Sequence, residues 1–212
     1  LLDRVCQGLY APGSAFKPAV AAAALTAGID PAATVSCTGR YGFYSGYQPG
    51  CLQYGHGGPV DLRTALEHSC NIFFYDVGRR LGVDVFSAMA RQLGLAAPTG
   101  VEITEAQGRL TWSSDENYQA GLTLMAAIGQ GNTAVTPLQL AAYAATLANF
   151  GQRPTLHFAD RAVNAATGET VWQYAPTFTT VPGGEGVFGP IRDGMKRMAR
   201  TTRVLREAPV AC

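Results

Sequence analysis

Lysine is nearly missing from this sequence of 212 residues: Lys17 and Lys196 are the only two, and all charged residues together make up 15%. With a net charge of +1 and no run of Lys or Arg, the composition argues against nucleic acid as a partner. Long hydrophobic runs are missing as well. No stretch approaches the roughly 18 uncharged apolar residues of a membrane span, and the longest candidate, Ala19 to Ala27, has the length of a buried core helix. There is no internal repeat and no low-complexity tract. There is also no initiator Met and no signal peptide. The last residues, Pro209-Val210-Ala211-Cys212, read as the beginning of a strand, so the chain is expected to be an excerpt of a longer protein. What is present in quantity is apolar: 47% of residues are hydrophobic, enough for one large domain or part of one.

Turn and cap residues divide the chain. Pro12-Gly13 precedes an Ala-rich helix from Ser14 to Ala27, stopped by Gly28, with Pro18 tolerated in the first turn. Residues 29–60 show no sustained period, and an irregular segment of that length inside a compact domain is usually functional or pinned. From Val60 helices dominate: Asp61 to Glu67, Asn71 to Leu81 ended by Gly82, then a helix capped by Asp84 and running to Leu93. The last of these has Val85, Phe86, Met89, Ala90 and Leu93 on one face. Thr136-Pro137 marks an N-cap and first helical position for a helix to Asn149. Leu156 to Val163 and Glu169 to Tyr174 suggest a β-hairpin, and Gly186 to Arg200 one more helix. The expected class is α+β, helix-rich with few strands.

One of the two lysines stands three residues after a serine, in Ala-Pro-Gly-Ser14-Ala-Phe-Lys17-Pro. In the first turn of a helix, positions i and i+3 share a face, so hydroxyl and amine would meet. A serine hydroxyl needs a base to become a nucleophile. Lysine can be that base when burial and the positive end of the helix dipole depress its pKa. Without such burial the pair is an exposed serine and lysine at a helix start. A second serine, Ser69, stands two residues before Asn71 at the head of another helix. That hydroxyl can pass a proton between Lys17 and a leaving group, and the Asn71 amide can hold a substrate peptide. Alternatively Ser69 is only an N-cap and Asn71 a turn residue.

Three stretches carry a resemblance: YAPGSAFKP, HGGPVDLRTALEHSCNIFFYDVGRRLG and AIGQGNTAVTPLQLAAYAATLANFG. In order and spacing, from about Tyr10 to Val210, they are similar to the transpeptidase domain of class B penicillin-binding proteins, in the elongation-type branch known as penicillin-binding protein 2. The resemblance implies a penicillin-binding transpeptidase (serine β-lactamase-like) fold, here mainly its helical subdomain. It implies Ser14 as acyl-forming nucleophile, Lys17 as base, Ser69 and Asn71 as second-motif partners, and the Gln130, Gly131, Asn132 loop close to the cleft. The implied activity is a peptidoglycan D,D-transpeptidase acting on stem peptides that end in D-Ala-D-Ala and acylated by β-lactam antibiotics. It implies too a membrane glycan polymerase as partner and a place at the outer face of the bacterial cytoplasmic membrane, anchored by an N-terminal helix outside this sequence. A serine β-lactamase and a β-lactam sensor domain are the alternatives. The family's third motif, Lys-Thr-Gly, follows a stretch like Ala-Pro-Val-Ala-Cys and does not occur here, nor do the strands that precede the first motif. Residues 1–212 are therefore expected to be a partial transpeptidase domain, inactive or very slow alone.

Cysteine supplies a second constellation. Cys37, Cys51, His56 and Cys70 are spaced C-x13-C-x4-H-x13-C. Zinc favours four such nitrogen and sulfur ligands, though this wide spacing is no finger signature. Elongation-type relatives with zinc at the matching positions strengthen a structural zinc, which would pin the irregular segment to the helix carrying Ser69. A Cys37–Cys51 disulfide and unlinked thiols are the rival readings. His68 reads as a helix-surface residue, His157 as a hairpin residue without a partner, and Cys6 and Cys212 have none assigned.

Overall fold

A computed structural model describes residues 3–51 and 56–201. The strand expected at residues 209–212, and Cys212 with it, lie outside the described residues.

The chain enters its first helix through a tight 3-10 turn, Gly13–Phe16, and continues as α1 (Lys17–Thr26). Ser14 therefore lies in the 3-10 turn and not in the uniform helix that the sequence predicts from Ser14 to Ala27. Lys17 to Ala24 are all buried. A helix apolar on every side can be stable only inside a core, and here α1 is the axle of the fold. Against it pack α2 (Leu62–Glu67), α3 (Asn71–Leu81), α4 (Val83–Gln92) and α7 (Gly184–Thr201), while α5 (Ala120–Ala127) packs on α3 and α4 and α6 (Pro137–Ala148) on α7. Phe16 meets Phe86 of α4 edge to face at 6.2 Å. α7 lies across α2, tied there by the Arg63–Asp193 ion pair at 3.0 Å. Among the described residues, no helix is long and apolar enough to cross a membrane.

Several boundaries follow the sequence signals. Asp61 caps α2 by accepting from the Thr64 N–H. Thr136 and Gln139 form a reciprocal capping box at α6, with Pro137 at the start. α3 occupies Asn71–Leu81 as expected. Asp84 is a correction: it is not a cap. The helix begins at Val83, directly after Gly82, and the Asp84 carboxylate instead accepts from the Ser113 amide and hydroxyl. The buried face is accordingly Val83, Phe86, Met89, Ala90 and Leu93, while Val85 is exposed.

Strands are few, and among the described residues they pair only two by two. β1 (Val35–Cys37) runs antiparallel to β2 (Gly58–Val60), with Cys37 opposite Gly58. β3 (Gln152–Pro154) pairs with β6 (Phe178–Thr180), and β4 (Arg161–Val163) with β5 (Thr170–Gln173). The last pair is the expected hairpin, with both strands shorter than expected and the first much shorter. Residues 155–159 are held elsewhere: Leu156 N–H donates to Thr99 O, and Phe158 and Ala159 donate to the Glu102 carboxylate. The architecture is α+β and mainly helical.

Candidate active site

The site begins with how α2 ends. Its last turn closes with Cys70 N–H donating to Ala65 O and Ser69 N–H to Leu66 O, the paired bonds of a Schellman termination. That motif needs a left-handed residue, usually glycine, and here Ser69 holds it with φ of 52°. The left-handed conformation costs an ordinary residue about 1–2 kcal/mol. It turns both the Ser69 hydroxyl and the Ser69 carbonyl toward Lys17. Ser69 is therefore not an N-cap; Cys70 is the N-cap of α3 and Asn71 its first residue.

Lys17 is 1% exposed. Its Nζ donates to Ser69 O at 2.7 Å and Asn71 Oδ1 at 2.6 Å, and lies 2.9 Å from Ser69 Oγ. The first two partners can only accept, whereas a hydroxyl can accept or donate. The arrangement thus suits an ammonium giving three bonds equally well as a neutral amine giving two and accepting the third. Burial pulls the amine down to about 8, against the opposing pull of Cys51 and Cys70. Lysine here can hold or release its proton near neutrality.

Ser14 is exposed, in the 3-10 turn that leads into Lys17. Residues three apart eclipse one another in such a turn. Ser14, Lys17 and Ser69 line one cavity of about 310 Å³, which Leu140, Leu147, Met195 and Met198 also line. The expected direct contact is not made: among the described residues no hydrogen bond joins Ser14 Oγ to Lys17 Nζ, because the amine is engaged by Ser69 and Asn71. The Asn71 amide is likewise occupied at both ends. Its Oδ1 faces Lys17 and its Nδ2 donates to Gly50 O at 3.3 Å, so holding a peptide means giving up the Gly50 bond.

The Gln130, Gly131, Asn132 loop is exposed and sits between two backbone tethers to the Ser14 segment. Gly13 N–H donates to Gly129 O at 2.9 Å, and Tyr10 and Val135 exchange both amide bonds. Gly129 ends α5 in the same Schellman geometry as Ser69 ends α2, with φ of 72°. The approach is so close that a Cβ there would stand 2.2 Å from Gly13 O. Arg109 Nε steadies the loop by donating to Asn132 O.

The pairing of β1 with β2 and the turn at Cys70 bring Cys37, Cys51, His56 and Cys70 together. Their donor atoms all lie within 4.8 Å of one another, and His56 Nδ1 is 3.2 Å from Cys37 Sγ and 3.9 Å from Cys51 Sγ. Ligands on a tetrahedral ion with Zn–S bonds of about 2.3 Å stand about 3.8 Å apart. The cluster can hold a metal ion. Among the described residues no disulfide joins Cys37 to Cys51 in this structure. Burial pushes the Cys70 thiol up to about 12, the direction a bound cation would reverse. Burial, then the neighbouring His68, lower the pKa of the His56 imidazole, which favours the neutral form that ligates.

The remaining candidates separate. His68 is exposed, as expected, with its ring 5.6 Å from that of His56. His157 does have partners: it stacks on Tyr174 at 3.4 Å, and its Nδ1 is 3.1 Å from Ala159 O. Cys6 is buried, and its backbone carbonyl accepts from Ala106 N–H. Sequence reasoning missed the Gly50 carbonyl, whose signal would have been the aromatic stretch Tyr41 to Tyr47 preceding Cys51.

With this geometry in hand, comparison with known proteins is informative. Residues 1–202 match the penicillin binding protein transpeptidase domain. The peptidoglycan D,D-transpeptidase MrdA of Salmonella typhimurium is 33% identical over 193 residues, covering 84% of this chain and 30% of that protein. PbpA of Mycolicibacterium smegmatis, also a peptidoglycan D,D-transpeptidase, is 35% identical over 163 residues, covering 74% of this chain and 32% of that protein. The chain thus spans about a third of the length of these curated relatives. Among solved structures, PBP2 of Pseudomonas aeruginosa superposes with a TM-score of 0.81 at 29% identity, covering 95% of this chain and 45% of that one. The imipenem acyl-enzyme complex of penicillin-binding protein A from M. tuberculosis gives 0.85 at 25% identity, covering 99% and 48%. A chain of a peptidoglycan synthase complex that coordinates polymerization and crosslinking gives 0.85 at 33%, covering 99% and 36%. The fold, the order of the motifs and the match along almost the whole sequence agree: this chain belongs to the penicillin-binding protein transpeptidase family.

Proposed function

We propose that this chain is the motif-bearing helical part of a peptidoglycan D,D-transpeptidase domain within a longer enzyme. The observation that carries the reading is the buried Lys17 amine, bonded to Ser69 and Asn71 and sharing one cavity with Ser14.

Ser14 Oγ attacks the carbonyl of the penultimate D-Ala while Lys17, as the neutral amine, takes the hydroxyl proton. The peptide C–N bond breaks, and Ser69 passes a proton from Lys17 to the departing D-Ala amine. An acceptor amine from a neighbouring strand then attacks the seryl ester, forming the cross-link and returning the proton to Ser14. A β-lactam carbonyl enters by the same attack and stays as a penicilloyl ester. Asn71 orients Lys17 and, on releasing Gly50, the substrate amide. The Gln130, Gly131, Asn132 loop borders the bound peptide. The Ser14 amide supplies one oxyanion donor. The strand bearing the Lys-Thr-Gly motif, beyond this sequence, supplies the second, and losing one such donor typically costs about 100- to 1000-fold. Hence this segment alone should label with penicillin very slowly.

Cys37, Cys51, His56 and Cys70 would hold a structural zinc. Four protein ligands leave no position for a water, so the ion would fix the 37–56 segment against the Ser69 turn rather than do chemistry. One zinc per chain by elemental analysis is expected; a metal-free protein with a Cys37–Cys51 disulfide by mass spectrometry would refute it. The enzyme is expected at the outer face of the cytoplasmic membrane, anchored by an N-terminal helix, with a glycan polymerase as partner; the likeness to a chain of a complex that coordinates polymerization and crosslinking supports the last of these.

The decisive experiment is labelling of the full-length enzyme with fluorescent penicillin. Ser14→Ala should abolish the label and Lys17→Ala nearly so, with the fold intact. A penicilloyl adduct mapped to Ser69, or undiminished labelling of Lys17→Ala, would show the roles to be wrong.

A further inference from the structure

Asn71 depends on a segment that no catalytic motif includes. Residues 39–51 form a narrow arm: Cys51 N–H donates to Gly39 O, Tyr41 N–H to Pro49 O, and Arg40 pairs with Gly50. The arm touches α3 at two places. At its far strand, Gly50 O accepts from Asn71 Nδ2. At its near strand, the buried Tyr41 packs on Tyr75 at 5.9 Å, and its hydroxyl donates to Asp76 Oδ1 at 3.0 Å. That hydroxyl accepts from Arg79 Nε at 2.7 Å, while the guanidinium lies 3.7 Å from the centre of the Phe43 ring.

An Arg79–Asp76 ion pair needs no arm, since residues three apart on a helix meet in any case. Here the pair is loose, at 3.4 Å, and the shorter bond goes to Tyr41. The arginine spends its best donor and its flat face on the arm. With the near strand fixed, the backbone bonds across the arm fix Gly50, and Gly50 fixes which way the Asn71 amide points. The Asn71 oxygen then has one place to go, on Lys17.

We propose that Arg79 is a positioning residue for the reaction: by clamping the 39–51 arm through Tyr41 and Phe43, it holds Gly50 O on Asn71 and so Asn71 on Lys17. This rests on the transpeptidase reading above, in which Lys17 and Asn71 serve the acylation. Lysine can replace the donor but not the planar stack, so Arg79→Lys restores only part of the effect.

The test is saturation kinetics of fluorescent penicillin acylation on the full-length enzyme, separating the limiting rate from the dissociation constant. Bound metal and melting temperature are measured alongside. Arg79→Ala is expected to lower the limiting rate roughly ten-fold, leave the dissociation constant within two-fold, and retain its metal. In an Asn71→Ala background the same substitution is expected to have no further effect, because its route is already cut. Tyr41→Phe, which removes one hydroxyl from the clamp, should show the same pattern more weakly and serves if Arg79→Ala does not fold. An unchanged rate in both variants, equal losses with and without Asn71, or a rate loss that tracks metal loss overturns the proposal. Asn71→Ala acylating at the unaltered rate would sink the transpeptidase roles themselves, a result distinct from all of these.

Discussion

Replacing Gly129 by alanine should disable the nucleophile without touching it. Gly129 has a φ of 72°, and its carbonyl accepts from Gly13 N–H at 2.9 Å. An alanine Cβ would stand 2.2 Å from Gly13 O and 2.7 Å from Phe16 Cβ. Ordinary contact begins near 3.4 Å, so the two backbones must part by about 1 Å. The left-handed conformation costs alanine about 1 kcal/mol, loss of the Gly13 hydrogen bond about 1, and the residual overlap about 1 or more. A destabilisation of roughly 2–4 kcal/mol follows. The functional effect should be larger than the melting shift suggests, since the displaced element is the turn holding Ser14, and a 1 Å misplacement can cost about 100-fold in rate. Gly28→Ala is the control: it has a φ of 82° with nothing within 4 Å of a Cβ, so it should lose the conformational term alone and keep its acylation rate. The assay is thermal melting paired with penicillin acylation of the full-length enzyme. If Gly129→Ala melts early yet acylates within two-fold of the parent, the contact with Gly13 does not position Ser14. If it matches Gly28→Ala in both measures, the steric argument itself is wrong.

The pH profile follows from Lys17. With its amine near 8 through burial, only roughly a tenth is neutral at pH 7, so the acylation rate should climb with pH and level off above about 8; a flat profile from pH 6 to 9 would contradict the base assignment. At Ser69, glycine and alanine both delete the hydroxyl but only glycine accepts a φ of 52° at no cost. Ser69→Gly should therefore be about 1 kcal/mol more stable than Ser69→Ala to denaturant, with acylation equally impaired in both, and equal stabilities would mean that no strain resides at this turn.

Much of the helical frame was legible because its ends carry explicit signals. Asp61, Thr136-Pro137-Gln139 and Gly82 each mark a boundary through a hydrogen bond or a φ that few other residues supply. α5 was missed since Ala120–Ala127 is apolar on every side and its N-cap, Gln119, gives no side-chain bond. β1, β2, β3 and β6 were missed because three residues are too few to show alternation, and Pro59 and Pro154 sit inside two of them. Asp84 misled because a carboxylate in a helix's first turn looks like a cap whether or not it bonds an amide of that helix.

The candidate site was legible to a different degree, for a reason contained in four consecutive residues. In His68-Ser69-Cys70-Asn71 the chain leaves one helix and enters the next. Ser69 in the left-handed conformation and Asn71 at the helix start both face Lys17, while Cys70 between them points its sulfur to Cys37, Cys51 and His56. The sequence already assigns Ser69 and Asn71 to Lys17 and Cys70 to the cysteine–histidine cluster; what it does not show is that the division depends on one φ angle. A glycine would satisfy the Schellman turn at Ser69 as Gly129 does at α5, with less strain and no hydroxyl. Serine retained at that position therefore spends stability on a group aimed at a buried amine. That conflict between local preference and observed residue is the physical mark of a functional turn, and it stands in the sequence only for a reader who already knows where the helix ends.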